Sequence, residues 1–549
     1  MPLKDDLLRR GYFPENLPPA FSSEKIADYF RKKGDGRFLG NARTSVRGAS
    51  FNASKRGLTR RSFTLPHPLT AHDTAEFLSQ RWDAIFAFTS RNTISTSCPQ
   101  HEPNERRAIT ITSHRDVEQI RYSKLAGYRL IAKTDISRFY HSVYTHSLPW
   151  AFHGKAAAKA DQNANSAKVF FNRLDQILRN GQDKQTIGIP VGPDSSQVIA
   201  EVLSCAIDAI FKEKCEVEDY EVVRHVDDVW IGGNSYEDVE QALWRYREAI
   251  REFELDINEN KTHIYSSNFS FVDDWPTDVS RRLDYATGTL EGPRQDRLRS
   301  ALEHCFSIAV EKSDDGILKY VLSYLDDIGY GDIDWNTIEP FLKRVCIHFG
   351  HAVDYVVRVI VWRFLIYNDV DRESWKKILN TIIQIHGRLG NDSEVCWASY
   401  ACIILDISLR KEIMLDAIEN CGALSLVSLL HTKPEEPVDA TVHERLLSKL
   451  EGESDEGQLW PLILEWKSKG WSGHKKIEIK LQTMKEMIED KVFIFDPGRL
   501  PYNFSEKSPE DYRSITKAID EDSSQYRTSI DEIRNLFSRR EEDDTELPF

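Results

Sequence analysis

Asp227 and Asp228 stand side by side in RHVDDVWIGG, residues 224–233, with Val222, Val223 and Val226 before them and Val229, Trp230 and Ile231 after. Such runs read as two strands joined by a tight turn that exposes the carboxylates. Adjacent like charges repel unless a cation neutralises them, and Mg²⁺, a hard ion, takes oxygen ligands. A lone aspartate pair at a turn is common in polar hairpins, so a third carboxylate matters. It is offered by IAKTDISRFYHSVY, residues 131–144, where a strand pattern ends at Asp135 and runs into an aromatic-rich turn. Two strands presenting Asp135 and Asp227 to the same two ions suit nucleotidyl transfer, in which the metals activate a 3′-hydroxyl and stabilise departing pyrophosphate.

The elements that must position these groups follow from the pattern around them. IGIPVGPDSSQVIAEVLSCAIDAIF, residues 187–211, is a Gly/Pro-rich loop leading into a long helix; backbone freedom at Gly188 and Gly192 would let a nucleotide or template base approach closely. Short β-branched runs mixed with helical stretches predict an α/β domain over residues 1–285. From Arg297 the texture becomes a series of amphipathic helical patterns, among them RLRSALEHCFSIAV, TIEPFLKRVCIHF, SWKKILNTIIQIHGRL, EVCWASYACIILDISL and LWPLILEWKSKG. Stacked, HEAT-like helix pairs over residues 286–500 are the natural expectation. Residues 501–549 are polar and charged, and are expected to be partly disordered.

The net charge of −15 is unevenly spread. Residues 1–160 hold 26 Lys and Arg against 14 Asp and Glu, whereas residues 161–290 hold 13 against 25. A basic segment followed by an acidic one suits a protein that holds a phosphate backbone in one part and divalent cations in another. The eight cysteines are scattered, with no metal-binding spacing, and are expected to be reduced thiols. Apolar runs such as Val202 to Phe211 fall short of the ~20 residues that span a bilayer, and the first residues lack an apolar signal core; a soluble, cytoplasmic protein with no membrane partner is expected.

In content and in order, TDISRFY, GIPVGPDSSQ, HVDD and LDINENKTHI resemble motifs A, B, C and D of the reverse transcriptases, and KRGLTRRSFTLPHPLTA is similar to their fingers segment. The resemblance covers residues 40 to 265. It implies a fingers-palm domain in which Asp135, Asp227 and Asp228 are the metal-site carboxylates, Asp228 the least direct, and Ile136 adds its backbone carbonyl. It implies two Mg²⁺, with Mn²⁺ as a substitute, and dNTPs as substrates. Tyr140 matches the bulky aromatic that excludes a ribose 2′-OH, with Phe139 packing beneath. Lys261 matches the motif D lysine placed to protonate pyrophosphate. Arg60 and Arg61 would hold phosphates bidentately, the choice between them being open. Gly192 belongs to the nucleotide-facing motif B loop.

Two positions depart from the family pattern. His225 stands where most members have Tyr or Phe, and Val191 where many have Gln; both put ordinary template-directed, processive copying in doubt. GIPVGPDSSQ, SVYTHSLPWAFHGK and a helical region in place of a thumb resemble the bacterial defence-associated reverse transcriptases of the abortive-infection, AbiK-like type. That resemblance implies an antiphage role and DNA product made with a protein primer, on a non-coding RNA template or on none, by a homo-oligomer. Tyr502 and Tyr512 are among the candidate priming hydroxyls. A palm-type nucleotide cyclase and a catalytically vestigial nucleic-acid-binding scaffold are the alternatives. Arg344 and His351 form a further pair of a kind found in ribonucleases, which a helix surface also supplies by chance.

Overall fold

The computed structural model describes residues 2–499 apart from 35–43, 56–58, 104, 216–220, 269–273, 289–293, 329–332, 436–439, 472 and 474–476. The charged 501–549 segment, with Tyr502 and Tyr512, lies outside the described residues.

A two-stranded antiparallel hairpin, β1 (Ala49–Ser54) and β2 (Arg60–Leu65), pairs Ala49 with Leu65 and Ser54 with Arg60. The central sheet is formed by β3 (Leu130–Asp135), β4 (Glu221–His225), β5 (Asp228–Gly233) and β6 (His263–Ser266), in the order β4-β5-β3-β6, all antiparallel. Alternation of side chains gives the sheet two apolar faces. Helix α1 (His114–Leu125) covers one, packing Val117 and Leu125 on Ile131, Val223 and Trp230. On the other, Ala132, Val222, Val229 and Ile231 join the main core, against which α2 (Asp194–Lys214) and α3 (Tyr236–Arg251) lie. Pro193 precedes α2, Asp194 opens it, and Lys212 and Lys214 close it in the orientation its dipole favours.

Beyond the sheet, α4 (Trp275–Thr287) packs on the first helices of a long stack: α5 (Arg294–Glu311), α6 (Gly316–Ile328), α7 (Trp335–His348), α8 (Val353–Tyr367), α9 (Arg372–Arg388), α10 (Asp392–Ile404), α11 (Lys411–Asn420), α12 (Ala423–Leu430), α13 (Ala440–Leu450) and α14 (Trp460–Lys469). Each helix packs on the next but one, so α5, α7, α9, α11 and α13 form one row and α6, α8, α10, α12 and α14 a second. The second row meets the hairpin: α10 and α12 pack on β1. After α14 the chain returns to its own beginning. Phe495 pairs with Phe21 in an antiparallel bridge, Ser22 N–H donates to Ile494 O at 2.9 Å, and Asp496 N–H to Ala20 O at 2.7 Å. Tyr29 donates to Glu486, 457 positions away.

All eight cysteines are free thiols, six of them buried. Among the described residues no helix is long and apolar enough to cross a membrane.

Candidate active site

The carboxylates meet through strand register. Asp135, the last residue of β3, lies directly opposite Asp228, the first of β5. Asn258 N–H donates to Asp135 O at 2.8 Å and Ser137 N–H to Asp256 O at 2.9 Å, either side of the Ile136–Ile257 bridge. Asp135 therefore turns its backbone groups away from β5. That makes Asp135 and Asp228 a non-hydrogen-bonded pair, the kind in which Cα atoms approach to about 4.5 Å and side chains lie closest. By the same alternation the Ile136 carbonyl points towards the β4–β5 hairpin.

The turn itself is Val226-Asp227, with Asp228 already in the strand. Val226 has φ +56°, a strained conformation for a β-branched residue, and both its peptide groups are held. Its N–H donates to Ser97 Oγ at 2.7 Å, and Arg224 Nη1 donates to its carbonyl at 3.0 Å. Arg224 is fully buried and also binds Glu201 at 2.8–2.9 Å and Asp208 at 2.7 Å, both on α2. Burial alone would raise the Glu201 carboxyl, but the Arg224 charge and hydrogen bonds outweigh it and hold it below its ordinary value. Sequence reasoning missed this ionic cluster. Glu201 and Asp208 are seven apart, hence on one helical face, but their partner comes from another strand.

Burial, then the charges of Asp228 and Asp135, push the Asp227 carboxyl up to about 6. Lys261, in the 3₁₀ turn Glu259–Lys261, donates to Asp135 Oδ2, and that bond raises its own pKa. Asp135 Oδ1 is buried without a hydrogen-bond partner. Among the described residues no three His, Cys, Asp or Glu side chains are gathered as an ion cage. The donor set nevertheless fits a hard divalent cation: three carboxylates, one with an orphaned buried oxygen, beside a backbone carbonyl facing the same turn.

Tyr140 is half-buried after Asp135, edge-on to Phe139, which is buried. Burial, then the nearby Asp227 charge, raises the Tyr140 phenol. The Tyr140 carbonyl accepts from Ile189 N–H at 2.8 Å and Val143 O from Gly188 N–H at 2.7 Å, fastening the two motif loops together. Gly192, at φ +121°, has no room for a side chain: a Cβ would lie 2.8 Å from Pro14 and 3.4 Å from Phe63.

Arg60 and Arg61 point to opposite faces of β2, as strand neighbours must. Arg60, one of the two arginines between which the choice of phosphate holder was open, is engaged by the stack: its two terminal nitrogens donate to Glu394 of α10 at 2.9 and 2.8 Å, and its Nε to Asn52. Arg61 is exposed, and its charge is felt by Tyr140. Lys55, which sequence reasoning passed over, follows β1 at the hairpin tip; partial burial, then Arg61 and Lys261, lower its pKa, while Asp227 and Asp135 oppose the shift. The signal was the basic turn KRGLTRR, in which alternation assigns the two arginines different duties.

His225 is buried, with Nδ1 3.0 Å from Thr96 Oγ1 and its ring 5.2 Å from that of His114. Val191 is half-buried and its carbonyl accepts from Thr64 of β2 at 3.0 Å. Arg344 pairs with Glu303, and His351 bonds Ser54 O, so the two are engaged separately.

No curated protein matches the sequence. Solved structures with a detectable likeness include apo telomerase from Candida tropicalis truncated from its C-terminal domain (13% identity, TM-score 0.28, 41% of this chain and 51% of that one). Others are telomerase from Candida albicans with a fragment of telomeric RNA (13%, 0.26, 66% and 65%) and apo telomerase from Candida tropicalis (11%, 0.31, 74% and 70%). The first alignment thus spans about half of its counterpart, and scores of this size do not bear on what the chain binds. Residues 86–275, which hold Asp135, Tyr140, Gly192, Asp227, Asp228 and Lys261, match the family described as reverse transcriptase (RNA-dependent DNA polymerase), so the chain carries a reverse-transcriptase domain.

Proposed function

We propose that the protein is a DNA polymerase that joins dNTPs by two-metal nucleotidyl transfer. The observation that carries this reading is the cross-strand pairing of Asp135 with Asp228, with Asp227 in the adjoining turn and the Asp135 Oδ1 atom unpartnered. Asp135, Asp227, Asp228 and the Ile136 carbonyl would hold two Mg²⁺, or Mn²⁺ in their place. When bound, the ions supply charge neutralisation at the reacting phosphate and a more acidic 3′-hydroxyl. Lys55 and Arg61 present fixed positive charge to the incoming triphosphate. Lys261, which donates to Asp135 Oδ2, would give its proton to pyrophosphate once free of that bond. Tyr140 bars a 2′-OH by bulk.

Around this core, the AbiK-like motifs favour an antiphage role in the bacterial cytoplasm and a homo-oligomer, with residues 286–500 doing what a thumb does elsewhere. They also favour protein priming, with a small RNA as template or none. The burial of His225 supports unconventional priming, since its ring presents little face to a primer terminus. Incubation of the full chain with Mg²⁺ and each labelled dNTP, with and without RNase, tests the reading. Incorporation into product that migrates with protein through a denaturing gel is expected, its loss on RNase treatment marking an RNA template and its survival the absence of one. Absence of incorporation with every dNTP overturns it.

A further inference from the structure

The hairpin that carries Lys55 and Arg61 is fastened from behind by the helical stack. On the rear face of the hairpin, Arg60 forks onto both oxygens of Glu394, and Ser54 Oγ donates to the same carboxylate. Asn52 Nδ2 donates to Asp392 Oδ2 and to Gly390 O, both at 2.8 Å, and Asn52 N–H adds a bond of 3.2 Å to Asp392. His351 Nδ1 lies 3.0 Å from Ser54 O. Both carboxylates belong to the first turn of α10, where negative charge is favoured, and both are almost fully buried, Glu394 at 1% exposure and Asp392 at 4%. Asp392 is itself held by Gly422 N–H at 2.8 Å and Ser425 Oγ at 2.7 Å.

A planar guanidinium on a buried carboxylate is directional in both distance and angle. Any swing of the hairpin away from the sheet would strip Arg60 from Glu394 and Asn52 from Asp392 together, so that Glu394 loses its guanidinium and Asp392 keeps only Gly422 and Ser425. Resting on the polymerase reading above, we infer that Glu394 and Asp392 are positioning residues: through Arg60 and Asn52 they hold Lys55 and Arg61 over the aspartates before substrate arrives. The nucleotide meets a preset triphosphate clamp, and the hairpin does not close upon it.

The test uses full-length protein carrying Glu394→Gln, and in parallel Arg60→Lys, which keeps the charge and loses the fork. Amide hydrogen exchange without nucleotide should rise in residues 49–54 and 60–65 while strands 130–135 and 221–233 keep their protection. In turnover, KM for dNTP should rise about tenfold with kcat changed less than about threefold, the signature of a displaced binding group. Wild-type exchange in the hairpin should be the same with and without dNTP. Equal hairpin exchange in wild type and both variants, or faster exchange with KM unchanged, overturns the inference, as does a large gain in wild-type hairpin protection on adding dNTP. If Glu394→Gln loses protection throughout, Arg60→Lys is read by the same criteria. An inactive wild type would sink the polymerase reading instead, while the exchange arm still reports whether the stack fixes the hairpin.

Discussion

Arg224 lies wholly buried against Glu201, its two terminal nitrogens donating to both carboxylate oxygens at 2.9 and 2.8 Å. A further bond, to Val226 O, ties this pair to the turn that carries Asp227. Arg224→Met should cost about 3–5 kcal/mol, because two buried carboxylates lose their partner. The triple variant Arg224→Met, Glu201→Leu, Asp208→Leu should recover most of that stability and little of the activity. Denaturant midpoints beside incorporation rates check both; a stable, fully active triple variant would deny the cluster any role at the turn.

Val226→Gly removes a side chain that disfavours positive φ by about 1–2 kcal/mol. Stability should hold or rise while kcat falls, since the turn is freed as well as relaxed. A fall in both would show that the Val226 side chain supports the core.

For Asp227→Asn the expectation is a melting temperature no lower than wild type, because a like charge is removed beside Asp228, with incorporation reduced by at least about 10³. The stabilisation by Mn²⁺ or Mg²⁺ in thermal melts should shrink as well. Unchanged incorporation at matched concentration refutes the metal assignment.

Tyr140→Ala should leave dNTP use measurable and admit ribonucleotides, the barrier being steric. Comparison of kcat/KM for paired dNTP and rNTP substrates decides it; equal discrimination in both proteins assigns the residue to packing alone.

A fragment of residues 1–285 should fail to give a protease-resistant product. It would leave Arg60 without Glu394, Asn52 without Asp392 and β1 without α10 and α12. Limited proteolysis and circular dichroism measure this, and a compact fragment that incorporates dNTPs at the full-length rate would contradict it.

The three neighbouring carboxylates were legible because a strand that ends in Asp135 and a hairpin around Asp227 announce themselves in local alternation. The division within the pair was not. Val226 and Asp227 make the turn and Asp228 begins the strand, a register fixed by Ser97 and Arg224 from outside the motif. Arg60 looked like its neighbour until its partner appeared 334 residues downstream. Among the helices, amphipathic patterns such as Ser374–Leu389 were readable, whereas Val353–Tyr367 is apolar and β-branched on nearly all sides and carries no 3.6-residue stripe.

The bridge between Phe21 and Phe495 sets a clock on synthesis. A ribosome adds about 5–20 residues each second, so the first strand-like segment waits roughly half a minute to a minute and a half for its partner to emerge. Until then Tyr29 lacks Glu486, and Arg60 gains Glu394 only once α10 has left the exit tunnel. The β1–β2 hairpin is thus completed late, so nascent and prematurely terminated chains are made without its tie to α10.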